Sequence, residues 1–165
     1  MTKRSLATVV ILALIIPAIS EEKSELIGTQ ALPISLFKLS DNKYFRSKDL
    51  LGKKNLVVSF FATWCVPCAK EIPKLQEMAA EMKGKDLEFI LVDVNEKKDK
   101  VAKHIAEKEY TLPVILDKYG KAFENFKGVT LPLLVVINKK GIITYHRTGY
   151  KAGEELELIA HLKTL

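Results

Sequence analysis

The sequence predicts one α/β domain: a mixed central sheet with helices on both faces, led by a β-hairpin extension at its N-terminus. Three observations predict it. Asn55-Leu-Val-Val-Ser-Phe-Phe61 is an almost unbroken apolar run, the pattern of a strand covered on both sides. Strand-like and helix-like segments then alternate as far as Leu162, which builds a layered sheet. Leu133–Ile137 and Ile142–Tyr145 flank Asn138-Lys-Lys-Gly141, a hairpin that closes the alternation, with Gly141 supplying positive φ.

The chain begins with an address. Thr2-Lys3-Arg4 precedes 15 uncharged residues, Ser5 to Ile19, and Ala18-Ile-Ser20 puts small residues at −3 and −1 of a cleavage site before Glu21. Residues 1–20 read as a signal peptide or, uncleaved, as a membrane anchor. The uncharged stretch is shorter than the roughly 20 residues a spanning helix needs, and Pro17 suits a cleavage region better than a helix interior. Either reading puts residues 21–165 outside the cytoplasm, with Lys3 and Arg4 left inside. Cleavage would lower the net charge from +6 to +4, since the leader holds two positive residues and no acidic one.

Ile34–Leu39 alternates, Ser40–Lys43 is turn-rich and Tyr44-Phe45 starts a second short strand, giving the hairpin. A helix follows the central strand from Val66, with Ile72, Leu75, Ala79 and Met82 at helical spacing, Pro73 inside it and Gly84 as its stop. Leu87–Asp93 is the next strand, and Asp99–Lys108 a polar-faced helix with Val101 and Ile105 inward. Glu96–Lys103 reads as a solvated, charged helix face. Pro113–Leu116 is a short strand and Tyr119–Phe126 a short helix. Glu154–Leu162 closes the domain with Leu156, Ile159 and Ala160 on its inward side.

Composition narrows the function. With 48% apolar and 28% charged residues among 165, the chain is neither disordered nor low-complexity. The excess of 26 Lys plus Arg over 20 Asp plus Glu is too modest to indicate a nucleic-acid binder. Two cysteines cannot staple a fold of this size.

Both cysteines lie in Cys65-Val-Pro-Cys68, where a buried strand gives way to a helix. Unpaired N–H groups and the helix dipole favour an anion there, so a Cys65 thiolate is stabilised. Lowering a thiol from about 8.5 to about 7 makes half of it reactive at neutral pH. Cys68, one turn on, is placed to close a disulfide with it. These roles follow: Cys65 attacks a substrate sulfur and Cys68 resolves the mixed disulfide. Pro67 fits the first helical turn. A structural disulfide, a zinc site drawing on the scattered His104, His146 and His161, and a thiol peroxidase stand beside this reading. The peroxidatic cysteine of the last usually follows a Thr or Ser three residues earlier and a Pro seven earlier; here Ala62 and Val58 hold those positions.

Phe60-Phe-Ala-Thr-Trp-Cys-Val-Pro-Cys68 resembles the thioredoxin superfamily, and more narrowly the exported TlpA/ResA-like thiol–disulfide oxidoreductases. The resemblance spans about residues 26–162, including Asp49–Lys53 and Leu131-Pro-Leu-Leu-Val-Val-Ile-Asn138-Lys-Lys-Gly141. It implies a thioredoxin fold, a cis Leu131–Pro132 bond facing Cys65, and a Leu131 backbone that pairs with an extended substrate. Trp64, Pro67, Leu131 and Pro132 are the candidate substrate-facing residues, Trp64 packing beside the site. The buried acid of cytoplasmic thioredoxins is replaced by Ser59, which cannot act as a base. Glu71, three residues after Cys68, is the candidate substitute, since a similarly placed Glu is implicated in tuning the cysteines of the ResA-like branch. Between Lys70 and Lys74 it reads equally well as a solvated helix carboxylate.

The leader and the resemblance together imply an extracytoplasmic, periplasmic address, and the resemblance implies reduction of cysteine pairs in exported proteins, the CxxCH sites of apocytochromes c among them, by a chain that needs to be no more than a monomer. No cofactor or metal is expected, because the cysteine pair holds the electrons; a transmembrane thiol electron donor is the expected partner, and nucleic acid is not. An oxidant or isomerase, and a non-catalytic thiol-binding chaperone or scaffold, remain the alternatives.

Overall fold

A computed structural model describes residues 24–165, so the leader at residues 1–20 lies outside the described residues. Seven strands form one sheet in the order β2-β1-β5-β4-β3-β6-β7. The hairpin is β1 (Ser35–Lys38) and β2 (Tyr44–Arg46), followed by a short 3₁₀ turn at Ser47–Leu50. The central strand β3 (Asn55–Phe61) is buried at all seven positions, as its apolar run demands. It leads into α1 (Val66–Glu81), then β4 (Leu87–Val94), α2 (Lys98–Glu107), β5 (Val114–Asp117), α3 (Lys121–Asn125), β6 (Leu133–Ile137), β7 (Ile143–Thr148) and α4 (Glu154–Leu162).

Strands β3, β4 and β5 run parallel, whereas β6 is antiparallel to β3 and β1 antiparallel to β5. The C-terminal ends of the parallel strands and the N-terminal end of β6 therefore share one edge of the sheet. That edge carries the cysteines.

The sheet separates two apolar layers. On one face Val57, Phe61, Leu91, Leu134 and Val136 pack with Ile72, Leu75 and Met78 of α1, Val101 of α2 and Leu158 of α4. On the other, Val58, Phe60, Val92, Leu133 and Val135 pack with Ala122 of α3, Phe126 and the Leu26–Ile34 segment. Among the described residues both faces carry helices, but unequally: three lie on the first and only the five-residue α3 on the second. Among the described residues no helix is long and apolar enough to cross a membrane.

Three details depart from the sequence reading. In α4 the inward residues are Leu158 and Leu162, with the expected Ile159 half-buried against the same core, while Leu156 is 68% exposed and Ala160 also faces out. The i,i+4 pair Leu158/Leu162 fits the sheet, and Glu154 on the same stripe meets Arg147. Strand β7 continues three residues past Tyr145, which is what delivers Arg147. Glu96 precedes α2 and is not part of a solvated face: its side chain is 5% exposed, although Lys98, Asp99, Lys100 and Lys103 are exposed.

Candidate active site

Cys65 leaves β3 in extended conformation (φ −79°, ψ 102°) and caps α1, with Pro67 in the first turn. Its Sγ accepts a hydrogen bond from the Cys68 N–H at 3.2 Å, the contact an anionic sulfur would strengthen. The two cysteines form a disulfide, with Cα atoms 5.3 Å apart. Cys65 retains 5% of its surface and Cys68 1%, so the first sulfur is the more accessible. Trp64 is 68% exposed: it stands in solvent beside the disulfide rather than packing there, because Phe61 and Ala62 already fill the strand end beneath.

The Leu131–Pro132 peptide bond is cis. Leu133 pairs with Phe60 across β6 and β3, which puts Pro132 level with the end of the strand that leads to Cys65. The Pro132 carbonyl accepts from Gly149 N–H at 2.7 Å, tying the proline to the end of β7. Pro67, Leu131, Arg147 and Tyr150 line one cavity of about 1000 Å³ that opens beside the disulfide. A smaller cavity of about 460 Å³, near Lys54, Met82 and Pro113, lies at the far end of the sheet.

Glu71 is not a solvated carboxylate. It is 1% exposed, and Ser59 Oγ donates to its Oε2 at 2.7 Å. Ser59 thus occupies the strand position where cytoplasmic thioredoxins carry an acid and, as a hydroxyl, receives a carboxyl reaching across from α1. Arg147 of β7 donates from Nη2 to Glu71 Oε1 and from Nη1 to Glu154 Oε2. Its guanidinium lies over the Tyr150 ring, 5.4 Å from the centre. Burial pushes Glu71 up from an ordinary 4.5 to about 7, against the downward pull of Ser59 and of Arg147. A carboxyl near 7 takes and releases protons at neutral pH, which suits thiol chemistry.

Sequence reasoning missed Arg147. The inward alternation Ile143, Tyr145, Arg147 carried the signal: a charge on a strand position due to face the core needs a buried partner. The three histidines take structural roles or none evident, with His146 at 2.9 Å from the Phe126 carbonyl and His161 at 2.9 Å from Thr144 Oγ1.

Residues 27–146 match the AhpC/TSA family. The thiol-disulfide oxidoreductase ResA of Bacillus thuringiensis subsp. konkukian is 32% identical over 137 residues, covering 83% of this chain and 78% of that one. In fold, the chain is similar to a putative thiol:disulfide interchange protein DsbE from Chlorobium tepidum, with a TM-score of 0.78, 20% identity, and 84% and 96% of the two chains covered. A putative protein disulfide isomerase from Bacteroides thetaiotaomicron gives a TM-score of 0.76 at 25% identity, covering 83% of this chain and 87% of that one.

Proposed function

The chain belongs to the AhpC/TSA family and is a thioredoxin-fold thiol–disulfide oxidoreductase, and from that premise we propose that it works outside the cytoplasm as a reductant of disulfides in exported proteins. The observation that carries the reading is the placement of the cysteine pair: Cys65 caps α1, more exposed than Cys68, at the sheet edge shared with cis Pro132. The leader-like residues 1–20 support export, and the resemblance of the cysteine motif to the ResA-like branch supports the reductive direction.

In this reading an extended substrate lies along the Leu131 backbone, over the exposed rim formed by Trp64, Val66 and Val129. The Cys65 thiolate attacks one sulfur of the substrate disulfide, and the other sulfur leaves as a thiolate. Cys68 then loses its proton and attacks Cys65 Sγ, releasing the substrate as a dithiol and closing the Cys65–Cys68 bond. Glu71 is the group proposed to take that proton. A transmembrane thiol donor returns two electrons to the pair, and oxidised CxxCH segments of apocytochromes c are substrates of the right chemistry.

Replacing Cys68 by Ser should trap a mixed disulfide between Cys65 and a CxxCH peptide, visible by mass spectrometry and lost on adding dithiothreitol. Replacing Cys65 by Ser should trap none. Trapping through Cys68 instead would reverse the assigned roles.

A further inference from the structure

A second buried acid lies on the same face of the sheet as Glu71 and is not used by the exchange reaction. Asp93, near the end of β4, is 0% exposed, and neither of its carboxylate oxygens has a partner in good hydrogen-bond geometry among the described residues. It pairs in register with Phe61 of β3, whose side chain shares its face, one strand over and two residues along from Ser59. What faces it is Glu96, by its carboxyl and by its backbone N–H. The chain turns back at Asn95 (φ 61°), a conformation asparagine tolerates, and brings Glu96 within hydrogen-bonding reach of Asp93. Two carboxyls hydrogen-bond only through a proton held between them.

Glu96 also grips the loop that presents the nucleophile. Its Oε2 accepts from Thr63 N–H at 2.6 Å and its Oε1 from Thr63 Oγ1 at 2.8 Å. Thr63 lies inside the turn closed by the Cys65 N–H to Ala62 carbonyl bond, 3.1 Å. A single carboxylate therefore connects Asp93 to Thr63, two residues before Cys65.

We propose that Asp93 and Glu96 share one proton behind the Cys65 loop, and that they are positioning residues whose proton occupancy follows the redox state of the cysteine pair. The inference rests on Cys65 being the attacking thiol. When a dithiol donor reduces the disulfide, the Cys65–Cys68 bond breaks and a donor disulfide forms. The products are a Cys65 thiolate, a Cys68 thiol and one proton. In mildly alkaline solution, where the carboxyl pair has lost its proton, that released proton is drawn onto Asp93 and Glu96 by the new negative charge on Cys65, two residues beyond the Thr63 that Glu96 holds.

The charged surroundings leave this pair as the responsive group. From α2, Lys100 Nζ sits 2.5 Å from Glu96 Oε1, and His104, one turn on, is held below its ordinary range first by burial. From β5, Asp117 turns to the other face and accepts from Phe123 N–H at 2.9 Å. From β3, Phe61 and Ser59 bring no charge, and the titratable groups that α1 buries are Cys68 and Glu71, with Cys65 at its cap. Burial and the neighbouring Glu96 push Asp93 up to about 8. Glu96 is pulled down: burial opposes ionisation, but Lys100 and both Thr63 bonds outweigh it.

The test is a pH titration of the Asp93 carboxyl carbon by NMR in protein carrying labelled aspartate, once with the disulfide intact and once reduced. The expected result is a transition near pH 8 in the oxidised protein that moves up by about half a pH unit on reduction, a roughly threefold change in proton affinity. In Asp93→Asn, whose amide donates to Glu96 without a shared proton, the equilibrium constant against glutathione should lose the matching inflection. A transition in the ordinary carboxylate range, or one indifferent to redox state, overturns the proposal. Should Asp93→Asn not fold, the titration of the unaltered protein still decides. Alkylation mapping on the reduced samples separately tests whether Cys65 is the reactive thiol, so a failure of that assignment is distinguishable from a failure of the carboxyl pair.

Discussion

Glu71→Gln tests whether burial or pairing governs the acid behind the cysteines. The substitution keeps the size of the side chain and an oxygen that accepts from Ser59 or Arg147, but removes titration. Burial raises the folded-state pKa from 4.5 to about 7, with Ser59 and Arg147 opposing. An acid raised in this way is protonated first in the folded state as pH falls. Its contribution to stability is therefore fully present below about 4.5 and is lost as pH rises through 7. At 1.36 kcal/mol per pKa unit the interval is worth about 3 kcal/mol, and Glu71 is almost wholly buried, so solvent screening takes little of it. Urea melts of the oxidised protein and the variant, at intervals from pH 4 to pH 8, isolate this group as a difference. The stability of the wild type relative to Glu71→Gln should fall by about 3 kcal/mol across that range. A difference that stays flat, or grows with pH, would refute the reasoning and show that Arg147 and Ser59 hold the carboxylate ionised.

Three further outcomes follow from the same contacts. Arg147→Met leaves Glu71 without its counterion and should cost about 1 kcal/mol more at pH 8 than at pH 5, where Glu71 holds a proton and only the Glu154 pair is lost; Arg147→Lys should recover only part, because one ammonium cannot fork to Glu71 and Glu154 together. Thr63→Val removes the hydroxyl bond to Glu96 while keeping the N–H bond, and should lower stability by about 1 kcal/mol in thermal melts; no change would contradict the clamp. Leu158→Ala should cost about 3 kcal/mol and Leu156→Ala less than about 0.5, a contrast that equal melting temperatures would deny.

What could be read from the sequence was whatever depends on local period. The seven-residue run of β3, the 3.6-residue spacing of Ile72 and Leu75, and the Asn138–Gly141 turn each determine their own element, and the boundaries agree within a few residues. The cis Leu131–Pro132 bond came from resemblance, since the residues alone also suit a strand-initiating proline. The environment of Glu71 was beyond reach, because it is made by Ser59, 12 residues away, and Arg147, 76 residues away. The α4 helix offers two apolar stripes in nine residues, and only the sheet beneath selects Leu158 and Leu162 over Leu156. Glu96 looked like one more charge in a basic run; a helix that starts at Lys98 leaves it in the loop, free to turn inward. The pairing of β1 with β5 joins segments far apart in sequence, and no local pattern announces it.

The reductive assignment is most directly tested by the reduction potential of the Cys65–Cys68 pair, measured by equilibrating the purified protein against glutathione and dithiothreitol buffers. The account predicts a value near thioredoxin's, about −270 mV, so that the dithiol can pass electrons to oxidised cysteines in exported proteins. A value near about −120 mV would make the disulfide a strong oxidant and contradict the account.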